Sequence, residues 1–108
     1  MAKFMAIYTG QPGAGFPDEA TVAKGMQAWG AWMARHADRI VDMGGPLGKT
    51  KRVSASGVAD VSNNIAAYIV VEADSHEAAA RLFENHPHFS IFPGDGVDVM
   101  PCLPIPGM

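Results

Sequence analysis

The fold of this chain depends on residues 29–48, which read WGAWMARHADRIVDMGGPLG. The stretch contains both tryptophans, and a Gly-Gly-Pro step of this kind is typical of a helix end. Apolar residues recur at spacings of three, four and seven over Val22, Met26, Trp29, Met33 and Ile40. With Asp18 as the cap, this spacing predicts one long amphipathic helix that ends at Gly44-Gly45-Pro46 and leads into a strand.

The remaining segments place this helix within a sheet. A loop is predicted at residues 10–17, and a second helix is predicted after its cap, Asp74, ending at Pro87. Strand patterns occupy residues 3–9, 48–56, 65–73 and 97–103. The order is βαββαβ, and right-handed crossovers then give a ferredoxin-like α+β fold, with a four-stranded antiparallel sheet and both helices on one face.

Three of the predicted strands carry apolar residues on both faces. In the strand at 65–73, Ala66, Tyr68 and Val70 alternate with Ala67, Ile69 and Val71. Helices cover only one face of such a sheet, so the other face is left as an apolar surface. We therefore expect an isologous homodimer that pairs the two sheets back to back.

Composition limits the functional classes. The 108 residues form a single domain, 1–108, by length, and the net charge of −3 gives no reason to expect nucleic acid as a partner. No apolar run approaches membrane-spanning length, so no membrane association is expected. The single cysteine, Cys102, fits a reducing compartment, and we expect a cytoplasmic protein.

Several short segments match a known family in order along the chain. They are FMAIY at 4–8, WGAW at 29–32, DMGGPL at 42–47, YIVVEADS at 68–75, HPH at 86–88 and PGDGVDV at 93–99. Over nearly its whole length the chain resembles the YCII-related (DGPF-like) group of dimeric α+β barrel proteins. The resemblance implies the same fold and the same dimer. It implies a function only in outline, since most of the group is uncharacterised.

One branch of that group is thought to be enzymatic. Its members have a histidine near the start of the first helix and an aspartate in an Asp-Pro step after the second. This chain has no histidine before His36, and His86-Pro87 stands where the Asp-Pro step would be. The dyad is therefore not carried over to this chain.

Two histidines are the candidate catalytic residues. His36 follows the apolar stripe of the first helix and lies one turn from Trp32, so a half-buried imidazole there would act as a general base near neutral pH. His86 and His88 flank Pro87, and in an extended segment their rings would project the same way. The alternatives are a histidine at the edge of the core for His36 and a solvated loop for the other two.

The candidate substrate contacts are Trp32, Tyr68, His88 and Asp42. Trp32 and Tyr68 would wall a pocket, whereas Asp42 would either contact the ligand or pair with Lys49, Lys51 or Arg52. Two histidines need a third or fourth ligand to hold a metal, so no metal site and no cofactor are predicted.

Two functional hypotheses follow. The first is a small cofactor-independent enzyme that performs acid/base chemistry on a small molecule, bound in a pocket between the first helix and the sheet. The second is a non-catalytic homodimer that binds a small ligand in the same pocket, or regulates through it.

Overall fold

The computed structural model describes residues 1–11 and 17–107. The elements in chain order are β1 (Ala2–Thr9), α1 (Glu19–Arg35), a short 3₁₀ turn (Ala37–Arg39), β2 (Ile40–Pro46), β3 (Thr50–Ser54), β4 (Gly57–Val61), β5 (Ile65–Ala73), α2 (His76–Arg81), α3 (Pro87–Ser90) and β6 (Gly96–Pro101). The loop predicted at 10–17 lies outside the described residues from position 12 to 16. None of the helices in the described ranges is long and apolar enough to cross a bilayer.

The main sheet has four strands in the spatial order β2-β5-β1-β6, and all its pairings are antiparallel. The predicted four-stranded antiparallel sheet is therefore confirmed, and the architecture is consistent with a ferredoxin-like fold. The predicted βαββαβ order needs a correction. Strands β3 and β4, which lie between β2 and β5 in the sequence, pair only with each other and form a separate two-stranded sheet.

The core lies on the helix side of the main sheet. Alternate residues of β1 face it, and Phe4, Ala6 and Tyr8 are each at most 3% exposed. Register pairs Phe4 with Val71 and Ala6 with Ile69, so β5 supplies the adjoining part of the core. From the helices, buried Trp32 of α1 and buried Ala79 of α2 complete this layer, together with Phe83, which follows α2.

The first helix begins as predicted but ends earlier. The Asp18 carboxylate accepts a hydrogen bond from the Thr21 N–H at 2.7 Å, which caps the helix and holds the pKa of Asp18 below its usual value. The helix ends at Arg35, and His36 has left the helical conformation. The prediction of one helix up to Gly44 was therefore wrong, because Ile40 is a strand residue that pairs with Val71.

The Gly-Gly-Pro step lies within β2. Gly44 has a φ of +62°, and a Cβ there would collide with the carbonyl of Tyr68, so this position favours glycine. Two register shifts relative to β5 surround Asp42, and β2 bends there. The strand predicted at 48–56 falls in the β3–β4 hairpin and not in the main sheet.

The second helical segment is broken in two. Ser75, and not Asp74, caps α2 through a hydrogen bond from the Ala78 N–H to its Oγ at 3.0 Å. The chain then turns through Asn85, which has a φ of +57°, and starts again as α3. Pro87 is the first residue of α3, because a proline needs no N–H partner in the first turn of a helix. The prediction that Pro87 ends a helix was therefore wrong.

Candidate active site

An apolar cavity of about 290 Å³ lies between α1 and the β2–β5–β1 part of the sheet. None of its lining residues carries a formal charge. The lining consists of Tyr8, Met26, Trp29, Met33, Met43, Gly45, Pro46, Ala67, Tyr68 and Ile69. Met26 and Met43 are well exposed, at 58% and 68%, so flexible side chains form part of the rim. A site of this size and character suits one small, largely apolar molecule.

Tyr8 brings a polar atom to this part of the molecule. The alternation of β1 directs its side chain to the core, where it is 2% exposed. Its hydroxyl lies 3.3 Å from Nε2 of His86, which is 78 positions away in the sequence. Burial raises the pKa of the Tyr8 phenol well above its usual value, because the charged phenolate would be poorly solvated. Tyr8 therefore keeps its proton at neutral pH.

His86 is fully buried and is fixed from both sides of its ring. As the residue that caps α3, it accepts a hydrogen bond from the His88 N–H on Nδ1 at 3.0 Å. Burial, with smaller contributions from His88 and His36, lowers the pKa of His86 to about 4. The imidazole is therefore neutral at pH 7, and it forms a buried polar pair with Tyr8.

Trp29 closes the space around this pair. Its ring lies edge-on to His86, with 4.6 Å between centroids, and 5.1 Å from the ring of Tyr8. Phe92 supports Trp29 from the other side at 6.1 Å. Phe92 reaches this position because residue 25 is glycine; a Cβ there would collide with the Phe92 ring. Helix α1 and the loop after α3 thus fix Trp29 together.

Two candidate residues, Trp32 and His36, lie at the end of α1 and pack against each other outside the cavity lining. Trp32 is 1% exposed, and its Nε1 donates a hydrogen bond to the Leu82 carbonyl at 2.8 Å. Its ring packs 4.7 Å from that of His86. His36 lies against Trp32 at 4.9 Å, and burial, followed by the charge of Arg35, lowers its pKa. Neither residue belongs to the cavity lining.

The rings of His88 and His86 both pack against Tyr8, at 5.2 Å and 5.1 Å between centroids, but they have different hydrogen-bond partners. Nε2 of His88 donates a hydrogen bond to the Thr9 carbonyl at 2.7 Å, and the His88 ring fills the space next to Gly94. His88 therefore anchors α3 to the end of β1 and supplies the N–H that His86 accepts. Among the described residues no three His, Cys, Asp or Glu side chains are grouped closely enough to hold a metal ion.

The other two predicted substrate contacts are Asp42, which lies on β2, and Tyr68, which lies on β5. Tyr68 borders the cavity, but register places its side chain with Ile7 on the opposite face of the sheet from Tyr8. Asp42 is exposed, and its carboxylate accepts a hydrogen bond from the Gly44 N–H at 2.9 Å. No ion pair of Asp42 with Lys49, Lys51 or Arg52 occurs in the described ranges, where Lys51 pairs with Asp60. That predicted pairing was wrong.

A second, wider groove of about 940 Å³ lies at the base of the β3–β4 hairpin. Lys49 and Lys51 line it, together with Asp60 and Asn63. Lys51 and Asp60 are both highly exposed, and an exposed ion pair of this kind contributes little. The charged residues that line this groove are exposed, whereas Tyr8 and His86 are buried titratable residues.

Sequence reasoning missed Tyr8 and the methionines of the cavity rim. The strand pattern at 3–9 placed Tyr8 on one face with Phe4 and Ala6, but the other face is also apolar, so the pattern did not show which face the helices cover. No local pattern indicates a partner 78 residues away. Trp29, three positions before Trp32 on the same helix, forms the aromatic pocket wall that was expected from Trp32.

No family model and no curated protein sequence matches the chain. Among solved structures, the chain is similar to the 5-chloro-2-hydroxyhydroquinone dehydrochlorinase from Burkholderia phenoliruptrix, in a complex with 2,5-dihydroxybenzoquinone. The TM-score is 0.57 at 18% identity, and the match covers 90% of this chain and 89% of that chain. At this identity the likeness shows a common fold.

Proposed function

We propose that this chain is a small cofactor-independent enzyme of the YCII-related group, which performs acid/base chemistry on a small molecule in the cavity between α1 and the sheet. The observation that carries the proposal is the buried Tyr8–His86 hydrogen bond beside an otherwise apolar cavity. A titratable pair in a cleft of low polarity is typical of catalytic sites. Trp29 is the aromatic wall, and Tyr8 is the group that meets the substrate.

The pair suits proton movement at the Tyr8 oxygen. In an apolar site, charge that develops on a substrate oxygen is stabilised strongly by a fixed donor. Tyr8 would be that donor, and the His86 ring would stabilise the phenol oxygen as its proton moves towards the substrate. His86 is a positioning residue in this scheme, since Tyr8 separates it from the substrate.

The size of the cavity and its aromatic wall support a single-ring substrate. The similar dehydrochlorinase is named for a chlorinated, hydroxylated single ring and was solved with a dihydroxylated quinone. We propose that this chain also acts on a planar six-membered ring that carries oxygen substituents. Trp29 would pack against the ring, and the methionines of the rim would adapt to its edge.

The test is turnover of such compounds by wild type and by His86→Asn. Asparagine retains an acceptor for the His88 N–H but loses the contact with Tyr8. With 5-chloro-2-hydroxyhydroquinone as substrate and chloride release as readout, we expect wild-type turnover and a loss of roughly 100-fold in His86→Asn. The matched control is His76→Asn, which replaces an exposed histidine at the start of α2. Equal turnover in wild type and His86→Asn would contradict the proposal.

The alternative, a binding protein without chemistry, is favoured by one observation. Both ring nitrogens of His86 are engaged and its pKa is lowered to about 4, so His86 is not a free base for a substrate at neutral pH. A chain that binds 5-chloro-2-hydroxyhydroquinone without releasing chloride, and turns over no other hydroxylated quinone or hydroquinone, would support this alternative and refute the enzyme.

We also propose that the chain forms a homodimer through the outer face of the main sheet. Register places five apolar or aromatic side chains on this face: Met5, Ile7, Tyr68, Val70 and Met100. A second copy packed back to back would bury them. Sedimentation equilibrium at micromolar concentration is expected to give twice the chain mass of 11.4 kDa, and a folded monomer would refute the proposal.

A further inference from the structure

The direction of the hydrogen bond between Tyr8 and His86 follows from the groups around it. Nδ1 of His86 accepts the N–H of His88 at 3.0 Å, and a ring nitrogen that accepts an N–H carries no proton. A neutral imidazole has one proton, which must therefore be on Nε2. Nε2 is the atom 3.3 Å from the Tyr8 hydroxyl, so His86 donates and the Tyr8 oxygen accepts.

This direction leaves the proton of the Tyr8 hydroxyl without a hydrogen-bond partner among the residues that the structure describes. Within residues 1–11 and 17–107, the Tyr8 oxygen makes one side-chain hydrogen bond, and it is the acceptor in that bond. Burial also keeps the phenol protonated. Tyr8 also lines the cavity, so a ligand bound there would be the nearest candidate to accept this proton.

The rest of the lining limits the charge of that ligand. The other nine lining residues include methionine, proline, alanine and isoleucine side chains, and none is a lysine, arginine or histidine. An anion in this cavity would lose its water without gaining a cationic partner, which is costly. A neutral molecule with one acceptor oxygen loses little, because Tyr8 supplies the hydrogen bond.

From these contacts we infer that the cavity selects a neutral single-ring carbonyl compound, whose carbonyl oxygen accepts the hydroxyl proton of Tyr8 in a hydrogen bond. The inference deepens the proposed function and rests on it, since it takes this cavity as the ligand site. The substrate would then carry an uncharged ketone or quinone oxygen at its reacting end, and the Tyr8 hydroxyl would donate a hydrogen bond to that oxygen.

The test compares two ring compounds of the same shape. Acetophenone carries a carbonyl oxygen, and α-methylstyrene has a CH₂ group in its place. We expect Tyr8→Phe to reduce the preference for acetophenone over α-methylstyrene about tenfold, because the variant keeps the ring and loses only the donor. Benzoate, the anionic counterpart of acetophenone, is expected to bind more weakly than acetophenone to wild type. Titration followed by tryptophan fluorescence gives the affinities, since Trp29 lines the cavity.

The outcomes separate this inference from the proposed function. An unchanged preference in Tyr8→Phe, or benzoate binding more tightly than acetophenone, would overturn the inference and leave the cavity as a ligand site. Failure of all three compounds to bind would contradict the cavity itself, and with it the proposed function. Independently of any ligand, a long-range ¹H–¹⁵N spectrum is expected to show the proton of the His86 ring on Nε2; a proton on Nδ1 would overturn the inference.

Discussion

The free energy of unfolding should fall by about 3 kcal/mol when the pH is lowered from about 7 to about 4, and His86 should account for the fall. In the folded chain the pKa of His86 is about 4, whereas the pKa of a histidine in the unfolded chain is 6.5. Below that value the unfolded state binds a proton that the folded state does not. Stability is therefore complete above pH 6.5 and is lost as the pH falls towards 4.

Urea denaturation at a series of pH values measures this effect. We expect His86→Asn to be less stable than wild type at pH 7 but to lose much less stability on acidification. His36 contributes in the same direction, since its pKa is also lowered, but it is only partly buried. Exposed His76 provides the control variant His76→Asn. If the free energy of unfolding depends on pH equally in His86→Asn and in wild type, His86 is not a buried neutral group in the folded chain.

Replacing Trp32 with alanine should lower the free energy of unfolding by about 3–5 kcal/mol. Trp32 is 1% exposed and packs between Phe83 and His86, so its removal leaves a large space in the core. The Leu82 carbonyl also loses the donor that Trp32 Nε1 provides. Chemical denaturation monitored by circular dichroism measures the loss.

Trp32→Phe is the matched variant for this prediction. Phenylalanine retains most of the apolar contact but cannot donate to Leu82, so a smaller loss of about 1–2 kcal/mol is expected. A Trp32→Ala variant that loses less than about 1 kcal/mol would contradict the central place of Trp32 in the core.

Sequence patterns located the two central strands well. The strands at 3–9 and 65–73 correspond to β1 and β5, because both are rich in apolar residues and lie in the middle of the sheet. The end of the first helix was misplaced. Ile40 occurs at a helical spacing from Met33, yet pairing with Val71 in the sheet decides its conformation. A local pattern cannot show that such a pairing partner exists.

The candidate site was predictable only in part. His86 was named as a candidate because its imidazole stands in the His-Pro-His segment, and a pocket between the first helix and the sheet was expected. The partner of His86 was not identified, since Tyr8 and His86 meet only after β1 and α3 come together. The His-Pro-His segment was expected to be extended, but it starts helix α3. Both histidine rings pack against Tyr8, while His88 bonds to the Thr9 carbonyl and His86 to the Tyr8 hydroxyl.

We propose the cavity lined by Tyr8 and Trp29 as the ligand site of this protein. The most direct measurement is a ¹H–¹⁵N spectrum recorded while acetophenone, a neutral single-ring carbonyl compound, is titrated into the wild-type chain. We expect the largest shifts at the Trp29 indole N–H and at the backbone of Met26, Met43 and Tyr8. Shifts concentrated instead around Lys49 to Asn63, at the base of the β3–β4 hairpin, would contradict this proposal.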